Sequence, residues 1–382
     1  MFLALLPNFM FIPSITVLAN YFNTSFSIMQ LSVSIFMVVS AFLQMLLGPL
    51  SDKYGRRPVL LICLLILIFA SLGCIFSTSK EMFFFFRILQ ASAVSGLVIG
   101  RALVVDIFPQ KDSIKIFSQI AIILGVSSII GPGVGGFLIQ ISGWQAIFYF
   151  IITIAFLSLG YNYTSLEETN PHLITNVKKQ IANYKMLIVE KRFWIYSMIG
   201  GFSSSTFFTI LISAPFIGEI IYDMKPFQSS LLLIIITSGF ILGSFICPNL
   251  LIYLSEKKIL ILSIISSLLG ATFSFALYSF YPENILSIFG PFFFIGLSNG
   301  FISPIALSKV LSIRDDSRGA ASGLNGAFII GFGAFYSAVS GFLLGYVNKT
   351  EIIYYMIFLS LFLTYFAIFF TDQFYFSKDT NL

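Results

Sequence analysis

Apolar residues run along this chain in continuous blocks broken by short clusters of charge, glycine and proline, and no block alternates as a half-buried strand does. A bilayer core about 30 Å thick takes roughly 20 apolar residues as helix, and a helix satisfies its own backbone hydrogen bonds in lipid. A spanning barrel would need alternation with a period of two. The blocks therefore predict transmembrane helices at residues 1–20, 27–50, 58–77, 82–108, 114–140, 145–163, 194–218, 227–252, 258–280, 285–311, 317–345 and 352–371. These twelve spans divide six and six around the most polar stretch. They predict a six-helix bundle over 1–163, a cytoplasmic linker over 164–193, a second six-helix bundle over 194–371 and a cytoplasmic tail over 372–382. Within the linker, Val177, Ile181, Tyr184 and Ile188 recur at helical spacing, the pattern of a short helix on the inner membrane surface.

Composition strengthens this all-α integral membrane reading. The chain is 58% hydrophobic, holds 46 phenylalanines and is 10% charged, whereas a soluble fold carries about a quarter of its residues as charges. Of 21 lysines and arginines, sixteen fall on the side that holds both termini, three (Lys80, Lys225 and Lys349) on the other, and Arg87 and Arg101 lie inside spans. By the positive-inside rule both termini are cytoplasmic. The net charge of +5 then reflects topology and attraction to the inner leaflet; it does not point to nucleic acid. The first span has no basic lead and no cleavage site, and is expected to be retained. The phenylalanine and isoleucine bias suits an A+T-rich bacterial genome, so a bacterial inner membrane is expected. Cys63, Cys74 and Cys247 all lie within spans and form no disulfide framework. His172, the one histidine, reads as a solvated linker residue. With no metal-ligand spacing and no nucleophile–base pairing, an enzyme, a cofactor and a metal are not expected.

Three stretches carry chemistry. "GPLSDKYGRRPVLL", residues 48–61, places Asp52, Lys53, Arg56 and Arg57 between two greasy runs. It predicts a tight turn from about Leu50 to Pro58, in which Gly48 and Gly55 supply small or left-handed positions and the arginines offer forked donors to a carboxylate or to lipid phosphate. The fourth span, "RILQASAVSGLVIGRALVVDIF", carries Arg87, Gln90 and Arg101, with Asp106 at its end. The two arginines are about 21 Å apart along the axis and within roughly 40° of one face. Arginines in a span face a cavity or partner, or snorkel to headgroups. The fifth span contains "GVSSIIGPGVGG", where Gly125, Gly131, Gly135 and Gly136 permit close helix approach and Pro132 permits a bend. Ser337, Gly341 and Gly345 repeat that ridge weakly on the eleventh span.

Gly48, Leu50, Asp52, Gly55, Arg56 and Arg57 resemble the G-x-L-x-D-x-x-G-R-R loop of the major facilitator superfamily. Arg87 and Gln90 are similar to its R-x-x-Q motif, and residues 131–136 to the G-P-x-x-G-G motif of its exporters. "RALVVDIF", "GWQAIFYF", "SAPFIGEIIYDM" and "GAASGL" look like stretches of the bicyclomycin-resistance (Bcr/CflA) transporters. The resemblance implies the major facilitator fold of two pseudo-repeats. It implies a conformational charge network of Asp52, Arg56, Arg57 and Asp106 that joins the halves when the transporter is open outward. It also implies a proton-coupling role for Arg87 and Gln90, to which we join Arg101, and drug/proton antiport of a small amphipathic substrate by a monomer in contact with lipid. Aromatic candidates for the cavity are Phe36, Phe42, Tyr149, Phe207 and Phe208. The chain departs from these relatives where they carry an aspartate four residues before a proline on helix one: Phe9 precedes Pro13 at that spacing, beside Asn8. Other carboxylates near the spans sit at helix ends (Asp106, Glu219) or in loops (Glu81, Asp112, Glu256, Asp315, Asp316). A carrier of the same fold for one metabolite, an uncoupled facilitator, and a channel or scaffold without turnover are the alternatives.

Overall fold

The computed structural model describes residues 1–24, 26–169, 184–224, 226–314, 318–347 and 351–375. His172, Val177, Ile181, Asp315 and Asp316 lie outside the described residues, as does the side chain of Glu219. No strand occurs among the described residues. The first span is broken into α1 (Phe2–Phe9), a 3-10 turn at Ile12–Ser14 and α2 (Ile15–Tyr21), with Pro13 withdrawing the backbone donor that would have reached Phe9. There follow α3 (Phe26–Tyr54), α4 (Arg56–Ile75), α5 (Lys80–Gln90), a 3-10 turn at Ala91–Val94, α6 (Ser95–Ile107), α7 (Gln110–Ser142) and α8 (Gln145–Ser165). After a short helix α9 at 184–189 come α10 (Lys191–Phe216), closed by a π-turn at Ile217–Ile221, and α11 (Pro226–Tyr253). The chain then forms α12 (Glu256–Phe280), α13 (Ile285–Phe289), α14 (Phe292–Leu311), α15 (Arg318–Val347) and α16 (Glu351–Tyr375). Nine helical stretches among the described residues are long and apolar enough to cross a membrane. The other three expected spans coincide with the α1–α2 run, α10 and α15.

One boundary differs from expectation in a way that matters. Helix α3 does not stop near Leu50 but continues through Asp52 and Lys53 to Tyr54, so the charged turn shrinks to Gly55 alone. Pro49 is tolerated inside α3 because the carbonyl it leaves unpaired, that of Met45, accepts a hydrogen bond from the Tyr184 hydroxyl at 2.5 Å. Gly55 has φ +100°, a conformation that reverses the chain in one residue and that other side chains resist.

The chain forms two compact units. The first comprises residues 1–109, 126–187 and 314–327; the second comprises 110–125, 188–313 and 328–382. Helices α7 and α15 are thus each divided between the units. In the first unit Phe83 stacks on Phe11 with centroids 5.9 Å apart and meets Trp144 and Phe148 edge-on. The small residues of α7 serve the broken first span: a Cβ on Gly135 would run into the Met10 carbonyl, and one on Gly131 would lie 2.7 Å from Phe9 Cβ. The start of α15 lies as close to α3, since a side chain on Gly48 would strike the Gly319 carbonyl and one on Gly323 the Gln44 carbonyl. In the second unit, Gly239 and Gly243 of α11 abut the backbone at Phe293 and Leu297, and Gly296 and Gly300 of α14 abut that at Ile236 and Phe240. Two helices locked this way by reciprocal small residues need no polar contact for close packing.

Position-specific packing predicts opposite outcomes two residues apart. Gly135→Ala is expected to destabilise the protein by about 2 kcal/mol through overpacking against Met10. Gly133→Ala, which meets open space, should leave stability unchanged or raise it by up to about 1 kcal/mol. Thermal unfolding of the two purified variants by intrinsic fluorescence decides the point, and equal losses would refute the assigned packing.

Candidate functional site

Arg56 is the hub of a buried ionic cluster in the first unit. Its position, one residue past the turn and four past Asp52, brings its Nη1 to 2.5 Å from Asp52 Oδ1 and 2.6 Å from the Ser51 hydroxyl. Its Nε donates to Asp106 Oδ2, at the end of α6, at 3.1 Å. The opposite oxygens of both carboxylates reach the start of α15: Asp52 Oδ2 accepts from the Ala320 N–H at 3.0 Å, and Asp106 Oδ1 from Arg318 Nη1 at 3.3 Å. Arg318 Nη1 also donates to the Val105 carbonyl at 2.7 Å. Ala320 lies in the first turn of α15, where N–H groups lack intrahelical partners, so Asp52 caps a helix remote in sequence. The side chains of Arg56, Asp52 and Asp106 are only 2%, 6% and 5% exposed. Unpaired, each charge would cost several kcal/mol at such burial; arranged carboxylate–guanidinium–carboxylate–guanidinium, each is met by the opposite sign.

A second cap fixes the hub from the other side. Glu168 accepts from the Arg56 and Arg57 N–H groups at 2.9 and 3.1 Å. Pro58, the next residue, has no N–H to satisfy, so the first turn of α4 leaves no donor of this run unmet. A Cβ on Gly55 would collide with the Glu168 carboxylate. Arg57 stands outside the ionic cluster: its Nη2 donates to the Tyr163 carbonyl at 2.7 Å and its guanidinium lies 5.4 Å from the Tyr163 ring centroid. Arg318, Ala320 and Glu168 complete the cluster although the motif reading did not single them out. The only signal was "RGAASGL", where an arginine opens a run of small residues. Tyr184 closes the site near Met45; burial, with the neighbouring Asp52 charge, pushes its phenol up.

Arg87 occupies a different shell. It is fully buried, and its Nη1 donates to Gln90 Oε1 at 2.6 Å and to the Pro7 carbonyl at 3.2 Å, while Nη2 reaches Asn8 Oδ1 at 3.4 Å. Gln90 in turn donates to Ser71 at 2.9 Å. The guanidinium lies 4.2 and 4.8 Å from the ring centroids of Phe11 and Phe36. A helix C-terminus, two amide oxygens and two aromatic faces therefore hold this cation, without a carboxylate. Phe9 instead packs toward Gly131.

The other expected residues divide between the units. Gly136 lies 4.0 Å from Pro13 by its would-be Cβ, Pro132 sits inside α7, and Gly125 packs in the second unit against Ile241. Arg101 joins neither the Arg56 cluster nor the Arg87 shell and stands beside Gly326. Of the aromatic candidates, Phe36 serves Arg87, Phe42 and Tyr149 are exposed, Phe207 packs on Phe240, and Phe208 meets Gly333. A groove of 1030 Å³ in the second unit, lined by Tyr222, Gln228, Tyr281 and Glu283 among others, contains none of these residues.

A helical bundle of membrane spans with an ionic cluster at the helix ends defines a membrane protein that holds charge for a purpose other than solubility. The family profile of the Major Facilitator Superfamily matches residues 1–338, and the chain belongs to that superfamily; it is a multi-pass membrane transporter. It is 27% identical over 347 residues to the uncharacterized MFS-type transporter YdgK of Bacillus subtilis (strain 168), covering 89% of this chain and 85% of that one. It is 28% identical over 251 residues to the multidrug transporter MdfA of Yersinia pestis bv. Antiqua (strain Angola), covering 64% of this chain and 60% of that one. The solved proton:xylose symporter XylE superposes with a TM-score of 0.76 at 14% identity, over 97% of this chain and 94% of that one. This last likeness is one of fold.

Breaking the cluster should be costly and non-additive. Asp106→Asn, which removes the charge facing Arg56 and Arg318, is expected to destabilise the protein by about 3 kcal/mol. Adding Arg318→Gln to that variant should cost about 1 kcal/mol less than the same change in the parent chain. Arg57→Gln, at an exposed contact, should cost under about 1 kcal/mol. Denaturation of the four variants in one detergent measures the cycle; additive losses would dissolve the cluster as a unit.

Proposed function

We propose that the protein is a multidrug efflux transporter of the bacterial inner membrane, bicyclomycin-resistance-like, exchanging drug for protons by alternating access with both termini in the cytoplasm. The buried cluster around Arg56 is the observation that carries this reading. The first turns of α15, from the second half of the sequence, are held by four bonds: Asp52 to Ala320 N–H, Asp106 to Arg318, Arg318 to the Val105 carbonyl, and Ser322 to the Val98 carbonyl at 3.1 Å. All four involve groups that water can serve equally well once released, which suits a latch that opens and recloses in each cycle. The name of the MdfA relative supports drug as the cargo, and the fit of Gly131 and Gly135 to the broken first span supports the exporter motif.

Asp52 and Asp106 are the buried carboxylates among the described residues, and in this reading they stand in for an aspartate on the first span as the acidic groups of proton coupling. The shell of Arg87, built from neutral acceptors and rings, favours a second reading, an uncoupled facilitator.

Expression in a drug-hypersensitive bacterial host separates these readings. Efflux of a fluorescent drug should fall by at least about tenfold in Asp106→Asn at equal membrane abundance, as expected for loss of a charge-assisted bond. A protonophore should collapse efflux by the parent chain; efflux that persists means a facilitator, and resistance no different from the empty host sinks the export reading. Orientation has its own check: Lys53 and Lys257 should resist an impermeant amine reagent in intact cells and react after permeabilisation.

A further inference from the structure

Apart from Arg57 and Thr169, four polar side chains with unmet buried atoms in the first unit remain after the latch and the Arg87 shell are assigned. Ser40 and Gln44 lie one turn apart on α3 and so share a face. Arg101 projects from α6, and Asn325 from α15. Ser40, Gln44 and Asn325 are 4%, 0% and 1% exposed. Gln44 Oε1 and Arg101 Nη1 converge on Gly326: a Cβ there would clash with the first and lie 3.1 Å from the second. Ser40 Oγ, Gln44 Nε2 and Oε1, Arg101 Nε and Nη1, and Asn325 Nδ2 are all buried without a hydrogen-bond partner among the described residues. Native structures leave few such atoms, and this unit meets every need of Arg56 a short way off.

The chemistry of the set leans toward donors: Gln44 Oε1 is its one acceptor-only atom, and the Ser40 hydroxyl serves either way. Arg101 stays charged, and its two orphan groups are donors, as are the amide nitrogens of Gln44 and Asn325. The carboxylates buried in this unit, Asp52 and Asp106, are committed to Arg56 and to the start of α15. What the site lacks is an anion. We infer that Arg101, Gln44, Ser40 and Asn325 bind the anionic group, a carboxylate or phosphate, of an amphipathic organic substrate. The inference rests on the transporter reading and specifies its substrate class: acidic amphiphiles are favoured over lipophilic cations.

Binding to the purified full chain in phosphatidylcholine nanodiscs tests it without any flux. Naphthalene-2-carboxylate should bind saturably, with affinity reduced at least about tenfold by Arg101→Gln and about threefold by Gln44→Leu. Any binding of tetraphenylphosphonium should not fall in either variant. Because an unmet buried charge is removed, Arg101→Gln should not lower the ligand-free unfolding midpoint. The site is overturned if the carboxylate fails to bind, if Arg101→Gln binds it unchanged, or if that variant melts as early as Asp106→Asn. Stabilisation by sodium chloride with no response to the carboxylate equally overturns the organic assignment. Cationic drugs exported by the parent chain while naphthalene-2-carboxylate fails to bind would overturn the anion site and leave the export reading intact; carboxylate binding in a chain that confers no resistance would do the reverse.

Discussion

The arrangement of the first unit depends on burying one guanidinium, that of Arg56, in a chain with almost no water-facing interior. A charge with 2% exposure must find anions within reach, and two carboxylates on different helices supply them. Their remaining oxygens are then free to hold something else, and they hold the start of α15. The backbone must approach closely for this to happen, so α3 and α15 carry glycine where they touch: Gly48 and Gly319, with Gly319 also lying against Asp52 Oδ1 and Arg56 Nη1. Small residues here are a consequence of the ion cluster as much as of helix packing. The same demand explains the one-residue turn. A longer loop would let water reach Arg56, whereas Gly55 at φ +100° sets the residue directly on the first turn of α4, under Glu168.

Three arginines of this unit show how surroundings divide one side-chain chemistry into separate roles. Arg56, between two carboxylates, has strong partners whose loss is expensive, which suits it to the latch proposed above. Arg87, whose Nε finds no partner, is otherwise held by carbonyl, amide and ring acceptors that do not titrate near neutral pH, so its shell resists change with proton concentration. Arg101 has orphan donors and no acceptor, and its site is complete only when an anion arrives. Arg87 and Arg101 share one interrupted helix, and sequence spacing alone placed them on nearly the same face. Their neighbours, contributed by the first span on one side and by α3 and α15 on the other, separate them.

What was legible in the sequence is what local pattern encodes. Block lengths matched the helices because hydrocarbon thickness fixes them, and the charged segment between the second and third spans was readable because it interrupts two apolar blocks. Partners supplied from far along the chain were not readable. Arg318 and Ala320 approach Asp52 and Asp106 only through the fold, and their own neighbourhood marks them only by an arginine opening a run of small residues. Arg57 shows the converse: adjacency to Arg56 suggested a shared duty, yet successive residues of a helix point about 100° apart, and Arg57 turns to Tyr163. The end of α3 was misjudged because Pro49 normally stops a helix, and the donor that makes it harmless, the Tyr184 hydroxyl, comes from beyond the last helix of the first half.

That substitution of donors is a general feature of these units and bears on how they can move. Pro49 leaves the Met45 carbonyl to Tyr184, the end of α1 leaves the Pro7 carbonyl to Arg87, and Pro304 leaves the Gly300 carbonyl to Ser244 at 3.4 Å. In lipid an unmet carbonyl costs several kcal/mol, so these three interruptions recruit a side chain from another helix and tie two segments together at the point where one of them can bend. A helix so tied does not flex freely. It bends only when its donor moves with it, which makes Pro49 and Pro304 joints with defined partners. The Arg56 cluster differs because its bonds to α15 are made by side chains and by first-turn N–H groups that leave no helix interior exposed when they part. Release at that place costs the least in broken backbone pairing, and a reversible opening of the first unit therefore belongs at the Asp52–Arg56–Asp106–Arg318 cluster, ahead of any of its proline joints.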